Sequence, residues 1–341
     1  MNNQLLRDKF QMLRLTSWSR LSNLVATSVS FYFSKWTRST YHWGLPVSIA
    51  IEPTTSCNLR CPECPSGLRS FSRATGMIDT ALFEKVISQL QKKTSYLTFY
   101  FQGEPYLHKQ FLQMVQHAVS KKIYTATSTN GHYLTPEMAE ATVKSGLHRL
   151  IISIDGTTQD VYEQYRIGGD LAKVLQGAKN MIAARRKLQS YTPHVIFQFL
   201  VVKPNEHQIS EVQKIAHEIG VDEVRFKTAQ VYDFENGNPL IPTVEKYARY
   251  KQNPNGTYKI KSSLDDNCRK LWHSCVITWN GNVVPCCFDK DAKYVMGNVQ
   301  QNNFESIWNN DAYKNFRQSL FASRKSIDIC TNCTEGAQVW A

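Results

Sequence analysis

Six short apolar runs recur between residues 47 and 231, and a segment of helical period separates most neighbouring pairs. The runs are VSIAIEP (47–53), LTFYFQG (97–103), IYTATSTNG (123–131), RLIISIDG (149–156), HVIFQFLVV (194–202) and EVRFKTAQV (223–231). Nearly all combine β-branched and aromatic residues with a Gly or Pro stop close by, the signature of strands. Between them, residues 79–92 start at an N-cap candidate, Asp79, and place Leu82, Val86 and Leu90 on one helix face. Residues 106–121, 135–145, 170–189 and 205–219 repeat that period, the last running from Asn205 to Gly220. Strands alternating with helices in this way pair in parallel through right-handed crossovers. Such units open into a doubly wound sheet or curl toward a barrel, and both put ligand-binding loops at the C-terminal strand ends.

The loop after the first strand, IEPTTSCNLRCPECPSG, places Cys57, Cys61 and Cys64 within eight positions. A zinc site wants four ligands, and the next cysteine is 204 positions on. A cubane iron–sulfur cluster normally takes four cysteines. Three therefore leave one iron open to something other than the protein. Pro62 and Pro65 stiffen the loop and Gly67 relieves it. Two other strand ends carry polar groups at the same rim. FQGEP (101–105) offers an anion at Glu104 beside Gly103, where the absent side chain allows close approach. SIDG (153–156) puts Ser153 and Asp155 two apart, on one side of a strand.

This C-x3-C-x2-C loop and its surrounding rhythm resemble the radical S-adenosylmethionine (radical SAM) superfamily over residues 47–235. The resemblance implies an α/β fold, a partial (βα)6 TIM-type barrel over 46–235. It implies that Cys57, Cys61 and Cys64 hold a [4Fe–4S] cluster whose fourth iron binds the amino and carboxylate groups of S-adenosyl-L-methionine (SAM). Gly103 and Glu104 match the family's Gly-Gly-Glu strand end, with Gln102 for the first Gly, and would receive the SAM ammonium. Ser153 and Asp155 would lie near the ribose hydroxyls, and Arg166 would offer donors to the SAM carboxylate. Glu63 stands where the family often has an aromatic residue near the adenine.

Past residue 235 the rhythm breaks. Residues 236–264 read as a turn-rich linker with a hairpin, and 265–341 as a small metal-bearing domain. CVITWNGNVVPCCF (275–288) reads as a hairpin turning at Asn280-Gly281. Cys268 and Cys286 from one segment and the knuckle Cys330, Cys333 from another can close a four-thiolate site. A period-two strand puts the adjacent Cys286 and Cys287 on opposite faces, so only one should bind a given cluster. Cys275 is an alternative to Cys268. The metal is zinc or an iron–sulfur cluster on these residues alone. The spacing C-x12-G-x4-C, a distant C-x2-C and MGNVQQNNFESIW (296–308) resemble the SPASM/twitch extension of radical SAM enzymes. That resemblance implies one fully ligated auxiliary [4Fe–4S] cluster. Asp289, directly after Cys286-Cys287-Phe288, is then a candidate catalytic proton acceptor.

The implied function is reductive SAM cleavage to a 5′-deoxyadenosyl radical that takes hydrogen from a peptide or small-molecule substrate. An electron donor such as flavodoxin or ferredoxin is implied with it. An iron–sulfur electron carrier or sensor without SAM turnover is the competing class. The net charge of +12 suits an acidic partner, but no nucleic-acid reader motif is present. Nine cysteines in a chain of 341 residues, without a secretory signal, indicate a cytoplasmic protein. Residues 1–45 form a basic, partly apolar extension. LSNLVATSVSFYFSKW (21–36) is short for a membrane span and is flanked by Arg14, Arg20, Lys35 and Arg38. Two readings stand for it: a helix packed on the main domain with a solvated basic face, or a peripheral contact with an anionic membrane.

Overall fold

A computed structural model describes residues 3–334 of the chain. The six apolar runs form β1 (Ser48–Ile51), β2 (Tyr96–Thr98), β3 (Tyr124–Thr129), β4 (Arg149–Ser153), β5 (His194–Val201) and β6 (Glu223–Thr228). They pair in that order, every pair parallel. β6 does not return to β1, so the barrel is partial.

Side chains alternate across these strands as the pleat requires. In β1, Ile49 and Ile51 are fully buried in the main apolar core, whereas Ser48 and Ala50 face a cavity inside the curl. Leu97, Phe197 and Phe199 repeat the core-facing choice; Thr98, Gln198 and Lys227 repeat the inward one. The outer face thus carries the hydrophobic packing, and the interior stays polar and open.

Helix starts follow local capping. Asp79 accepts the N–H groups of Ala81 and Leu82 at the head of the helix Thr80–Leu90. The expected helix over 205–219 begins later, at Ile209, after a 3₁₀ turn over Lys203–Gln208. Asn205 is the cause. Its buried carboxamide accepts from the Val202 N–H at 2.8 Å and donates to the carbonyls of Asp155 and Leu200, each at 2.9 Å. Gly220 closes the helix in the left-handed region at φ +88°.

The linker does contain a hairpin, β7 (Tyr250–Gln252) with β8 (Tyr258–Ile260). Next come β9 (Ser274–Ile277), β10 (Asn282–Val284) and β11 (Gly297–Asn298). β9 and β10 turn at Asn280-Gly281, with Gly281 at φ +84°. β9 lies parallel on the free edge of β1, so the C-terminal segment extends the barrel sheet to nine strands. β10 ends at Val284; Cys286 and Cys287 therefore sit in the turn beyond it, and strand alternation does not sort them. The junction is pinned by Glu52, buried at the end of β1, which accepts both Arg73 terminal nitrogens (2.9 and 2.6 Å) and the Trp279 N–H. Residues 335–341 of the C-terminal segment lie outside the described residues.

At the other end, α1 (Asn3–Arg14) and α2 (Trp18–Thr37) cross the N-terminal ends of β1 to β4. Arg20 donates to the carbonyls of Leu15, Gln91, Lys121 and Lys122. Asn23 binds both the N–H and the carbonyl of Leu45 and also the Lys93 carbonyl. Asp8 accepts from Tyr124 Oη and Arg149.

Candidate active site

A cavity of about 630 Å³ runs from the C-terminal strand ends into the barrel and on to the C-terminal segment. Cys57, Cys61 and Cys64 share its wall. The loop that carries them is tied down on all sides. Arg69 donates to the Cys57 carbonyl at 2.6 Å and the Ser66 carbonyl at 2.9 Å. Gly103 N–H donates to Ser66 Oγ, and Glu104 N–H to the Ser56 carbonyl. Gly103 sits at φ +75°, and a Cβ there would come within 2.2 Å of the Thr54 carbonyl oxygen. The close approach that requires glycine is therefore between the FQGEP turn and the cysteine loop itself.

Each thiol has polar company. Asn130 Nδ2 lies 4.0 Å from Cys57 Sγ, Arg166 Nη1 3.8 Å from Cys61 Sγ, and Gln102 Oε1 3.8 Å from Cys64 Sγ. Burial pushes the Cys61 thiol up to about 11; Arg166 opposes that, while Cys64 and Cys57 add to it. Cys57 is likewise raised, by burial first. Thiols in this state stay protonated at neutral pH until a metal displaces the proton, which is how cysteine ligands couple metal binding to pH. Among the described residues, no three His, Cys, Asp or Glu side chains converge tightly enough to enclose a single metal ion. Three mutually sensed thiols on one cavity wall suit a larger inorganic core.

The other sequence-singled residues divide. Glu104 is on the cavity wall but buried, accepting from Asn130 N–H at 2.7 Å, Thr129 Oγ1 at 2.8 Å and Tyr106 N–H at 3.2 Å. Its pKa rises to about 7 because desolvation outweighs those three donors. Ser153 lines the cavity, 3.5 Å from Ser128 Oγ. Arg166 lines it too. Asp155 does not: it is fully buried behind Arg166, accepting Arg166 Nε at 2.5 Å and the Leu200 N–H at 2.7 Å. Asp289 is also off the wall. Its carboxylate accepts the N–H groups of Lys293 and Tyr294 at 2.8 and 2.9 Å, so it caps its own turn. Glu63, near Lys290, accepts the Tyr232 N–H.

Cys275, Cys286 and Cys287 also reach the wall. Burial raises the Cys286 thiol strongly, with Cys287, Cys268 and Cys333 adding to it; burial takes Cys330 to about 12, with Cys333 and Cys268 adding. Cys268, Cys286, Cys330 and Cys333 are thus electrostatic neighbours. Arg324 stands among them, its Nη2 3.2 Å from Cys333 Sγ. Cys275 is in β9, where its thiol senses Arg317 and Tyr313 rather than that group. Lys270 Nζ donates to Cys287 Sγ at 3.3 Å.

Four cations on the wall, Lys227, Arg249, Lys270 and Lys290, were not singled out from sequence. Lys227 had a signal, a charge at an inward position of a strand. Arg249 and Lys290 come from irregular segments that carry none. Arg249 Nε and Nη1 are buried with no hydrogen-bond partner among the described residues.

A family model described as "Radical SAM superfamily" matches residues 51–226, and one described as "Iron-sulfur cluster-binding domain" (SPASM) matches residues 268–334. A tungsten-containing aldehyde ferredoxin oxidoreductase cofactor-modifying protein of Pyrococcus furiosus is 28% identical, covering 83% of this chain and 86% of its own length. The SAM-dependent 2-deoxy-scyllo-inosamine dehydrogenase of Niallia circulans is 25% identical, covering 84% and 91%. The structure of Streptococcus suis SuiB bound to the precursor peptide SuiA shares the fold, with a TM-score of 0.60 at 15% identity, covering 90% and 74%.

Proposed function

Because the chain belongs to the radical SAM superfamily, with a SPASM-type segment behind the barrel, we propose that it reductively cleaves SAM to a 5′-deoxyadenosyl radical that takes hydrogen from an anionic small molecule or acidic peptide segment. The observation that carries this reading is that the three-thiol loop, Glu104, Arg166 and the Cys286-Cys287 turn all open onto one cavity.

Cys57, Cys61 and Cys64 would hold three irons of the SAM-binding cluster and leave the fourth open. Glu104, charged or sharing a proton, is the one buried carboxylate on the wall and would take an ammonium. Arg166 would face a carboxylate, with Asp155 fixing its angle from behind. Ser153 would offer a hydroxyl to the ribose. Cys268, Cys286, Cys330 and Cys333 would ligate the auxiliary cluster, beside the Arg324 cation. Cys275 is less well placed, and Asp289 is spent on its own turn. The polar inner strand faces leave room for substrate.

Two observations bear on the substrate. Lys227, Arg249, Lys270 and Lys290 give the wall a positive balance, which favours an anionic group. The Niallia dehydrogenase acts on a small molecule and SuiB binds a peptide, so both substrate sizes occur among similar proteins. The electron would come from a small donor of the flavodoxin or ferredoxin kind. A cytoplasmic setting with peripheral membrane contact through residues 1–45 belongs to the same proposal.

Anaerobic reconstitution with iron, sulfide, SAM and dithionite, followed by mass detection of 5′-deoxyadenosine, tests the reading. The Cys61→Ala variant should lose that product while keeping the iron of the C-terminal cluster. Product formation unchanged in Cys61→Ala would overturn the assignment of the loop.

A further inference from the structure

α2 is packed inside out. Its buried positions are Arg20, Asn23, Thr27, Ser30, Phe31 and Ser34, five of the six polar. Its exposed apolar positions are Trp18, Leu21, Leu24, Val25, Val29, Tyr32 and Trp36, with Trp18 86% and Trp36 79% exposed. At about 100° per residue, the exposed set falls within an arc of about 140° and the buried set within an arc of about 100° on the opposite side. A helix that docks only to hide apolar surface turns the other way.

The polar face is held inward by bonds that fix the rotation. Arg20 is 4% exposed and spans four carbonyls. Asn23 is 2% exposed and grips Leu45 and Lys93. Rolling the helix to cover its tryptophans would strand these groups. α1 repeats the pattern with Leu6, Phe10 and Leu13 exposed at helical spacing and Asp8 buried against Tyr124 and Arg149.

The exposed charges of the N-terminal segment itself have one sign. Arg7, Lys9, Arg14, Lys35 and Arg38 are exposed, and the only acid before Glu52 is the buried Asp8. Tryptophans at both ends of α2, an apolar stripe between them and exposed cations around it suit the interface of an anionic bilayer. No helix among the described residues is long and apolar enough to cross one.

We propose that α1 and α2 seat the protein flat on an anionic lipid surface, through the stripe Trp18–Trp36, with the cysteine loop facing away from the lipid. This rests on the peripheral-contact reading above and adds the face and the orientation. The orientation follows from topology. Arg20 and Asn23 bind residues that lead into β1, β2 and β3, while Cys57, Cys61 and Cys64 follow the opposite, C-terminal end of β1. Substrate and electron donor would then reach the rim from the aqueous side.

Flotation of the reconstituted holoenzyme with vesicles of phosphatidylcholine alone, or with 30% phosphatidylglycerol (~30% as a probe composition), is the test. Binding should need the anionic lipid and fall at least tenfold between 0.1 and 0.5 M salt (about a twofold shorter screening length). Lipids brominated in the acyl chain should quench wild-type tryptophan fluorescence. Trp18→Gln/Trp36→Gln should lose both binding and quenching while keeping 5′-deoxyadenosine formation in solution. No binding by the wild type overturns both this inference and the membrane reading. Binding that survives the double substitution overturns the stripe alone. A wild-type dimer that the same substitutions dissociate, without vesicle binding, would assign the face to a second copy and overturn the lipid proposal.

Discussion

Arg166 shows how one residue can depend on another that never meets the ligand. Its guanidinium reaches the cavity with Nη1 near Cys61 Sγ, but its Nε is held by Asp155, which is fully buried. The period-two argument that pairs Ser153 with Asp155 ends at the strand's last residue, Ser153. Past that point the chain turns, and Asp155 is taken by Arg166 and the Leu200 N–H. Asp155→Asn keeps an acceptor for Leu200 and removes the charge. SAM affinity should fall about tenfold, roughly 1.4 kcal/mol, with the iron content of both cluster sites unchanged. Equilibrium binding of SAM to the holoenzyme measures it, and unaltered affinity would remove Asp155 from the positioning role. The cysteine spacing was legible because three thiols in eight positions have few other uses. Asp289 was not: adjacency to Cys287 says nothing about which backbone donors a carboxylate will meet.

At the scale of elements, periodicity carried the six strands and most helices, since burying one face of each is what the pattern encodes. It missed where long-range bonds override local preference. Asn205 caps β5 instead of opening a helix, and α2 turns its polar face inward because Arg20 and Asn23 find carbonyls on three neighbouring segments. β4 offers a quantitative case. His148, just before it, is buried with Nδ1 accepting from Thr125 N–H (3.1 Å) and Thr125 Oγ1 (2.9 Å). Burial lowers its pKa to about 4, with Asp8 opposing. The unfolded chain takes this proton near pH 6.5, while the folded one resists until about pH 4. Stability from this group is therefore present above about pH 6.5 and is lost as pH falls toward 4, by about 1.4 kcal/mol per unit. The melting temperature should drop across that window. His148→Asn, whose side-chain oxygen can still accept from Thr125, should shallow the slope; an equal slope in both proteins would assign the acid sensitivity elsewhere.

The whole molecule brings the Cys57, Cys61, Cys64 loop and the Cys286-Cys287 turn onto the wall of one basic chamber, an arrangement no single segment of sequence announces. Lys227 comes from β6, Lys270 precedes β9, Lys290 follows the Cys286-Cys287 turn, and they meet only because β9 closes onto β1. Two causes would produce such a set of cations: balancing the negative charge of bound clusters, or receiving an anionic substrate. They differ in what removing one cation does. Burial draws the Lys290 pKa down to about 8, opposed by Cys64 and Cys287 and reinforced by Lys227 and Arg249, so it starts to lose its charge just above neutral pH. A group in that condition gains from an incoming anion, which would raise its pKa and complete its charge. Pyrophosphate, a compact polyanion, serves as a probe for the holoenzyme. Lys227→Met and Lys290→Met should each weaken its binding about tenfold (roughly 1.4 kcal/mol), and wild-type binding should weaken above pH 8 as Lys290 loses its proton. The reduction potential of the auxiliary cluster should stay put. The opposite pair of results, a shifted potential with pyrophosphate affinity intact, would assign these lysines to the cluster and leave the anionic substrate without support.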